Sequence, residues 1–140
     1  MDNLFFEING GGSFVKVEFT DPPDYAHPED WAVAYISVKT PFFKGMYGCN
    51  ITTADFYPIY DSLSRLYNDL NGEAFFEDIE GNLKISIKGD GVGHFCATVK
   101  ARSSFDYRSS LEFCIDFDQS YLPDMVNQLE RIIKKGPDIN

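Results

Sequence analysis

The fold is decided by the stretch Leu111-Glu112-Phe113-Cys114-Ile115-Asp116-Phe117-Asp118-Gln119-Ser120-Tyr121-Leu122-Pro123, in which an amphipathic strand runs directly into an amphipathic helix. Large apolar residues occupy every second position from Leu111 to Phe117, which predicts a strand with one apolar face. After Asp118 the apolar period lengthens to that of a helix, whose stripe is Leu122, Met125, Val126, Leu129, Ile132 and Ile133. The strand and the helix must therefore cover each other or share a core.

Local signals mark both ends of this helix. Ser120 is a good N-cap, and Pro123 then falls in the first turn, where its missing N–H costs nothing. Gly136-Pro137 ends the helix. We expect two sets of residues to be buried against each other: Leu111, Phe113, Ile115 and Phe117 on the strand, and Leu122, Met125, Val126 and Leu129 on the helix.

The rest of the chain predicts the element order ββββαββββα in one domain of residues 1–140. A first hairpin turns at Gly10-Gly11-Gly12, and strands follow from Trp31 to Thr40 and from Phe42 to about Ile51. Short turns between neighbouring strands are typical of antiparallel pairing, and one-sided helices cover such a sheet. We therefore expect an α+β fold: a mostly antiparallel sheet of about eight strands with two amphipathic helices packed on it.

The first helix has boundary signals of its own. Thr53 or Asp55 caps it, Pro58 lies in its first turn, and Asn71-Gly72 ends it. A short strand from Ala74 to Glu77 follows. The predicted apolar stripe of this helix is Phe56, Ile59, Tyr60, Leu63, Leu66, Tyr67 and Leu70.

Composition narrows the class of partner. The 140 residues are 44% hydrophobic and 16% aromatic, which favours a folded protein, and they carry a formal charge of −10. Such a surface repels nucleic acid and anionic lipid, so we expect neither as a partner, whereas a basic protein is attracted. Composition alone leaves open the simpler interpretation that the acidic charge keeps the protein soluble.

Cysteine usage and the chain start predict a cytoplasmic protein. Cys49, Cys96 and Cys114 are odd in number and lack C-x-x-C spacing, which argues against a disulfide framework and a zinc cluster. The first residues lack the pattern of a signal peptide, and no apolar run approaches the roughly 20 residues of a membrane span.

No catalytic, metal-binding or cofactor motif emerges. Gly89-Asp90-Gly91-Val92-Gly93-His94 resembles a phosphate loop, but no Lys-Ser/Thr follows and the next predicted element is a strand, so we interpret it as a turn. His27 and His94 are the only histidines, and neither Asp90 nor Cys96 stands at a metal-ligand spacing from His94. We expect no catalytic residue, no metal and no cofactor.

The middle strands are apolar on both faces. If Ala34, Ile36 and Val38 face the helices, then Trp31, Val33 and Tyr35 face elsewhere. Either the sheet curls and covers these side chains, or they form an aromatic binding surface rimmed by a loop rich in acids and prolines. The candidate partner-binding residues are Asp21, Asp24, Glu29, Asp30, Trp31 and Tyr35.

Four motifs, taken together, carry a family resemblance. They are Trp31 at a strand start, Phe43-Lys44-Gly45-Met46-Tyr47, the turn Gly89-Asp90-Gly91-Val92-Gly93-His94, and Asp118-Gln119-Ser120-Tyr121-Leu122-Pro123 before the last helix. In this order they resemble the WapI-type immunity proteins of bacterial polymorphic-toxin systems. The resemblance covers nearly the whole chain and implies a small non-catalytic protein that binds and neutralises a cognate toxin domain. Many toxins of such systems are nucleases with basic active sites.

Three functional hypotheses follow. The first is a cytoplasmic immunity protein that occludes its toxin by tight binding, with association accelerated by opposite charge. The alternative is an accessory or scaffold domain that binds a small molecule or a peptide on the aromatic face of the middle strands. An enzyme ranks third. The residues do not determine the oligomeric state or the identity of the toxin.

Overall fold

A computed structural model describes residues 4–133 and confirms the element order ββββαββββα. The helices are α1 (Tyr57–Asp69) and α2 (Leu122–Ile133), each preceded by a 3₁₀ turn, Thr53–Phe56 and Gln119–Tyr121. The strands are β1 (Phe5–Gly10), β2 (Ser13–Phe19), β3 (Ala32–Lys39), β4 (Lys44–Ile51), β5 (Asn71–Glu77), β6 (Leu83–Asp90), β7 (His94–Ala101) and β8 (Leu111–Asp118).

The eight strands form two antiparallel sheets of four. Sheet A has the order β1-β2-β3-β4 and sheet B the order β5-β6-β7-β8, so each half of the chain builds one sheet from consecutive strands. Edge strand β1 of sheet A lies beside edge strand β8 of sheet B. A Cβ on Gly10 would collide with the Asp116 carbonyl oxygen, so this close approach requires glycine.

The two helices share one core with both sheets. α1 packs against β5 and α2, and α2 packs against α1 and β1. Phe56, which is fully buried where the 3₁₀ turn enters α1, lies between Phe19 and Phe76, with ring-centroid distances of 5.9 and 4.8 Å. Aromatic contacts therefore join sheet A, sheet B and the start of α1.

The strand and helix that decide the fold share this core rather than covering only each other. On β8, Ile115 and Phe117 are buried, whereas Leu111 and Phe113 are partly buried against the core. On α2, Leu122, Met125 and Leu129 are buried and Val126 is partly buried. The two predicted sets lie in one core, but α2 packs chiefly on α1 and β1 rather than on β8.

The N-terminal cap of α2 differs from the prediction. Ser120 lies inside the 3₁₀ turn that precedes α2, and Asp118 caps that turn: its carboxylate accepts the Ser120 N–H at 2.9 Å. Pro123 lies in the first turn of α2, as predicted. Gly136-Pro137 lies outside the described residues.

The boundaries of α1 also shift by a few residues. Phe56 is the cap of α1, so the prediction of Thr53 or Asp55 as the cap was wrong. Thr52 caps the preceding 3₁₀ turn, where the Asp55 carboxylate accepts its N–H at 3.3 Å. Pro58 lies in the first turn. The helix ends because Leu70 adopts a left-handed conformation with φ 61°, so that residues 71 and 72 begin β5 instead of ending the helix. Within residues 4–133, neither helix is long and apolar enough to cross a membrane.

Candidate partner-binding surface

The acidic loop, defined as residues 21–30, is fixed by its own hydrogen bonds. The Asp24 carboxylate accepts the Ala26 N–H at 3.0 Å and bonds His27 Nδ1 at 2.9 Å. The Pro28 carbonyl accepts the Ala54 N–H at 3.0 Å and the Thr53 hydroxyl at 3.3 Å, which ties the loop to the turn before α1. The acids are therefore presented by an anchored loop.

Asp24 and His27 pair with each other inside the acidic loop. The hydrogen bond from His27 lowers the pKa of Asp24, and the same bond, followed by the charges of Asp24, Asp30 and Glu29, raises the pKa of His27. Asp24, His27 and Asp30 are the one cluster in the described chain whose ligand-type atoms lie within 4.8 Å of one another. All three are exposed, and the Asp24–His27 bond accounts for much of their proximity, so the expectation of no metal stays a prediction.

Four of the six candidate residues line one depression of about 320 Å³ between the acidic loop and the start of β3: Asp21, Asp24, Asp30 and Trp31. Val33 and Thr53 also line it. Glu29 is exposed on the same loop but does not line the depression. The structure thus brings the acids and the tryptophan together.

The predicted face assignment of β3 is confirmed. Ala34, Ile36 and Val38 are buried, whereas Val33 and Tyr35 remain 50% and 44% exposed on the outer face of sheet A. The Tyr35 ring lies across the strand from Gly48, where an added Cβ would be 3.3 Å from it. Sheet A does not curl over these side chains, so an apolar strip continues from Trp31 along β3.

Further exposed apolar side chains lie beyond the candidate set. At the β3–β4 turn Phe42 and Phe43 are 89% and 65% exposed, and Met46 on β4 is 69% exposed. Phe105 and Tyr107 are exposed on the segment between β7 and β8. The apolar middle strands predict exposed side chains around Phe42, whereas the only sequence signal for the later segment is its aromatic residues among serines.

Another depression, of about 650 Å³, lies elsewhere and is lined by His94, Cys96 and Asp116. A nucleophilic cysteine needs a stabilised thiolate. Here burial, followed by the neighbouring Cys114 and Asp116, raises the pKa of Cys96 to about 11. Burial, assisted by Asp78 and Glu80, likewise raises the pKa of the Cys49 thiol to about 12. Neither group is prepared for nucleophilic chemistry at neutral pH.

The glycine-rich stretch between β6 and β7 is a turn that is hydrogen-bonded to the segment after β8. The Asp90 carboxylate accepts the N–H groups of Val92 and His94 at 2.8 and 3.1 Å. Gly93 has φ 101°, a backbone conformation that favours glycine, and its carbonyl accepts the Gln119 N–H at 2.9 Å. The turn therefore positions the end of β8 rather than a phosphate.

Comparison with known proteins assigns the family. No curated protein matches the chain. The family model described as "Immunity protein WapI-like family" matches residues 5–137, which is nearly the whole chain. The chain therefore belongs to the WapI-like immunity protein family.

Proposed function

We propose that this protein is a non-catalytic immunity protein that binds a basic toxin domain, such as a nuclease, and occludes its active site. Family membership implies a toxin as the partner. The observation that supports the mode of binding is the depression that Asp21, Asp24 and Asp30 share with half-exposed Trp31, on a chain of charge −10. Glu29 is exposed on the same loop, and half-exposed Tyr35 continues the apolar strip along β3. Protein interfaces combine such an aromatic centre with a charged rim.

The proposed interface consists of Asp21, Asp24, Glu29, Asp30, Trp31 and Tyr35. The acids would accelerate encounter with a basic domain, because opposite charges steer association. Trp31 and Tyr35 would retain the complex, because desolvated aromatic side chains contribute mainly to a slow dissociation rate. The protein would act in the cytoplasm, where its three free cysteines stay reduced.

The test uses a catalytically inactivated toxin domain encoded beside the gene for this chain, with association and dissociation measured at several salt concentrations. We expect Trp31→Ala to raise the dissociation rate and leave the association rate unchanged. Phe75→Ala is the matched control, because Phe75 is equally exposed, at 52%, on the outer face of sheet B. If the two variants dissociate alike, Trp31 does not belong to the interface.

The acids need a control with the same change of charge. Neutralising Asp21, Asp24, Glu29 and Asp30 should lower the association rate and flatten its salt dependence. Neutralising four exposed acids elsewhere changes the net charge equally: Asp61, Asp69, Glu73 and Glu112. Equal effects of the two sets would mean that only net charge matters, and failure of the toxin domain to bind the parent protein would refute the proposed function.

A further inference from the structure

The outer edge of β4 presents unpaired backbone. In an antiparallel ladder, residue pairs alternate between pairs that exchange hydrogen bonds and pairs whose N–H and C=O groups point away. The Thr40 N–H donates to the Phe43 carbonyl at 2.7 Å, which makes the next pair, Lys39 with Lys44, one that does not exchange hydrogen bonds. The Thr20 N–H donates to the Val33 carbonyl at 3.1 Å, so Val33 points to β2 and its partner Asn50 points outward.

Both observations give the same alternation along β4. The residues whose N–H and C=O groups point away from β3 are Lys44, Met46, Gly48 and Asn50. Strand β4 is the last strand of sheet A, and within residues 4–133 these backbone groups have no hydrogen-bond partner. The open edge spans roughly 20 Å and could pair with another strand.

A groove adjoins the end of the β3–β4 hairpin where this edge begins, and buried Val38 of β3 also lines it. It has a volume of about 310 Å³, with Lys44, Gly45 and Tyr47 of β4 on one side. On the other side lie Arg102, at the end of β7, and residues of the β7–β8 segment. Phe43 lines the groove, and the sequence neighbours of its lining residues include exposed Phe42 on the turn and exposed Phe105 and Tyr107 on the segment.

The charge of the groove is opposite to that of the whole protein. Lys44 and Arg102 line it, and the one acid among its lining residues, Asp106, is paired with Arg108 at 3.4 Å. Arg102 stacks on the Tyr107 ring, 4.7 Å from its centroid. An apolar groove with two cations fits an extended segment that alternates apolar side chains and carries an acid.

We propose that an extended segment of the toxin domain enters this groove and adds as a fifth strand to the open edge of β4. This proposal rests on the proposed function and adds the mode of recognition. A second copy of the chain is a poorer occupant, because it would bring a second charge of −10 to the same interface. The acidic loop and the basic groove would then contact regions of opposite charge on one toxin domain.

Amide hydrogen exchange of the ¹⁵N-labelled protein tests the proposal directly. In the free protein the amides of Lys44, Met46, Gly48 and Asn50 should exchange fast, while those of Gly45, Tyr47 and Cys49, which bond to β3, should be protected. Addition of the inactivated toxin domain should protect the first set as well. Protection of the first set in the free protein would overturn the proposal, and protection that grows with protein concentration would assign the edge to a second copy.

Two substitutions at Met46 separate the contribution of its backbone N–H from that of its side chain. Met46→Pro removes an outward N–H without removing a bond to β3, and Met46→Ala keeps that N–H and shortens the side chain. The loss of one hydrogen bond corresponds to a roughly three- to tenfold weaker affinity for Met46→Pro than for Met46→Ala. Far-ultraviolet circular dichroism and urea unfolding verify that the proline variant is folded.

The outcomes distinguish the two proposals. If the toxin domain binds tightly while the four outward amides exchange as in the free protein, strand addition is wrong and the proposed function stands. If the toxin domain does not bind, both proposals fall. If the edge amides become protected and Met46→Pro binds more weakly than Met46→Ala, both are supported.

Discussion

Replacing Asn82 by alanine should destabilise the protein strongly, although Asn82 is not among the candidate partner-binding residues. Asn82 is fully buried, and its Nδ2 donates to Asp78 Oδ2 at 2.8 Å, while its Oδ1 accepts the Ser104 N–H at 2.9 Å. Its backbone carbonyl accepts the Tyr47 hydroxyl at 2.6 Å and the Arg102 N–H at 3.1 Å. Asn82 therefore links the β5–β6 turn to β4 and to the β7–β8 segment.

The expected magnitude follows from the bonds that the substitution removes. The bond to the Asp78 carboxylate contributes about 1.5–3 kcal/mol and the bond from Ser104 about 0.5–1.5 kcal/mol, so Asn82→Ala should lower the free energy of unfolding by about 2–4.5 kcal/mol. Asp78 Oδ2 loses its donor and the Ser104 N–H loses its acceptor, and this cost favours the upper half of the range. Tyr47→Phe should cost only about 0.5–1.5 kcal/mol, because the carbonyl of Asn82 keeps the Arg102 N–H.

Urea unfolding followed by circular dichroism measures both values. Asn50→Ala is the matched control, because Asn50 is exposed and its side chain makes no hydrogen bond within residues 4–133; its free energy of unfolding should change by less than about 0.5 kcal/mol. A double-mutant cycle with Asp78→Ala isolates the Asn82–Asp78 bond. A loss below about 1 kcal/mol for Asn82→Ala would refute the reasoning, since the two side-chain bonds of Asn82 would then contribute little to holding the β5–β6 turn against the β7–β8 segment.

Three further predictions concern the core, the thiols and the acidic loop. Phe56→Ala should lower the free energy of unfolding by about 3–5 kcal/mol through the cavity it leaves between Phe19 and Phe76, whereas exposed Phe75→Ala should change it by less than about 0.5 kcal/mol; urea unfolding measures both. Alkylation followed by mass spectrometry should modify exposed Cys114 first, then Cys96, whose pKa is about 11, and Cys49 only upon unfolding; early modification of Cys49 would contradict its burial. The pKa of His27 is raised above 6.5, so the stability that protonated His27 contributes is present below that pH and is lost as the pH rises through the folded-state pKa. Protonation of His27 also reduces the net charge of the acidic loop from −4 to −3. Association with the basic toxin domain should therefore slow as the pH falls from about 8 to about 6, and His27→Gln should remove that part of the dependence.

The element order could be predicted because a strand or helix that is buried on one side has apolar residues at a regular spacing in the sequence. Alternation assigned Ala34, Ile36 and Val38 to the core and Tyr35 to the outside, and all four lie as assigned. The division into two sheets could not be predicted, because one sheet or two satisfy the same alternation. The two sheets meet at the close approach of Gly10 to Asp116, which is a contact between distant parts of the chain. The caps were misplaced because Asp118 and Ser120 both suit that position and only geometry decides.

The candidate surface shows the same limit of sequence analysis. Asp30 and Trp31 are adjacent in sequence, so their common depression could be anticipated. The groove beside β4 joins residues 43–47 to residues 101–111, which no local pattern connects. An open strand edge is also invisible in a sequence, because it is a property of backbone groups that every residue carries.

Among the family motifs, Trp31 stands apart. The glycine turn and the stretch after Asp118 hold each other through the Gln119–Gly93 bond, and Tyr47 closes β4 onto Asn82. The Trp31 side chain is 53% exposed and makes no hydrogen bond or ring contact within residues 4–133. A half-exposed tryptophan contributes little to a core, so Trp31→Ala should change the free energy of unfolding by less than about 1 kcal/mol. Loss of toxin binding without loss of stability would assign this residue to the partner rather than to the fold, and a loss of several kcal/mol would assign it to the fold.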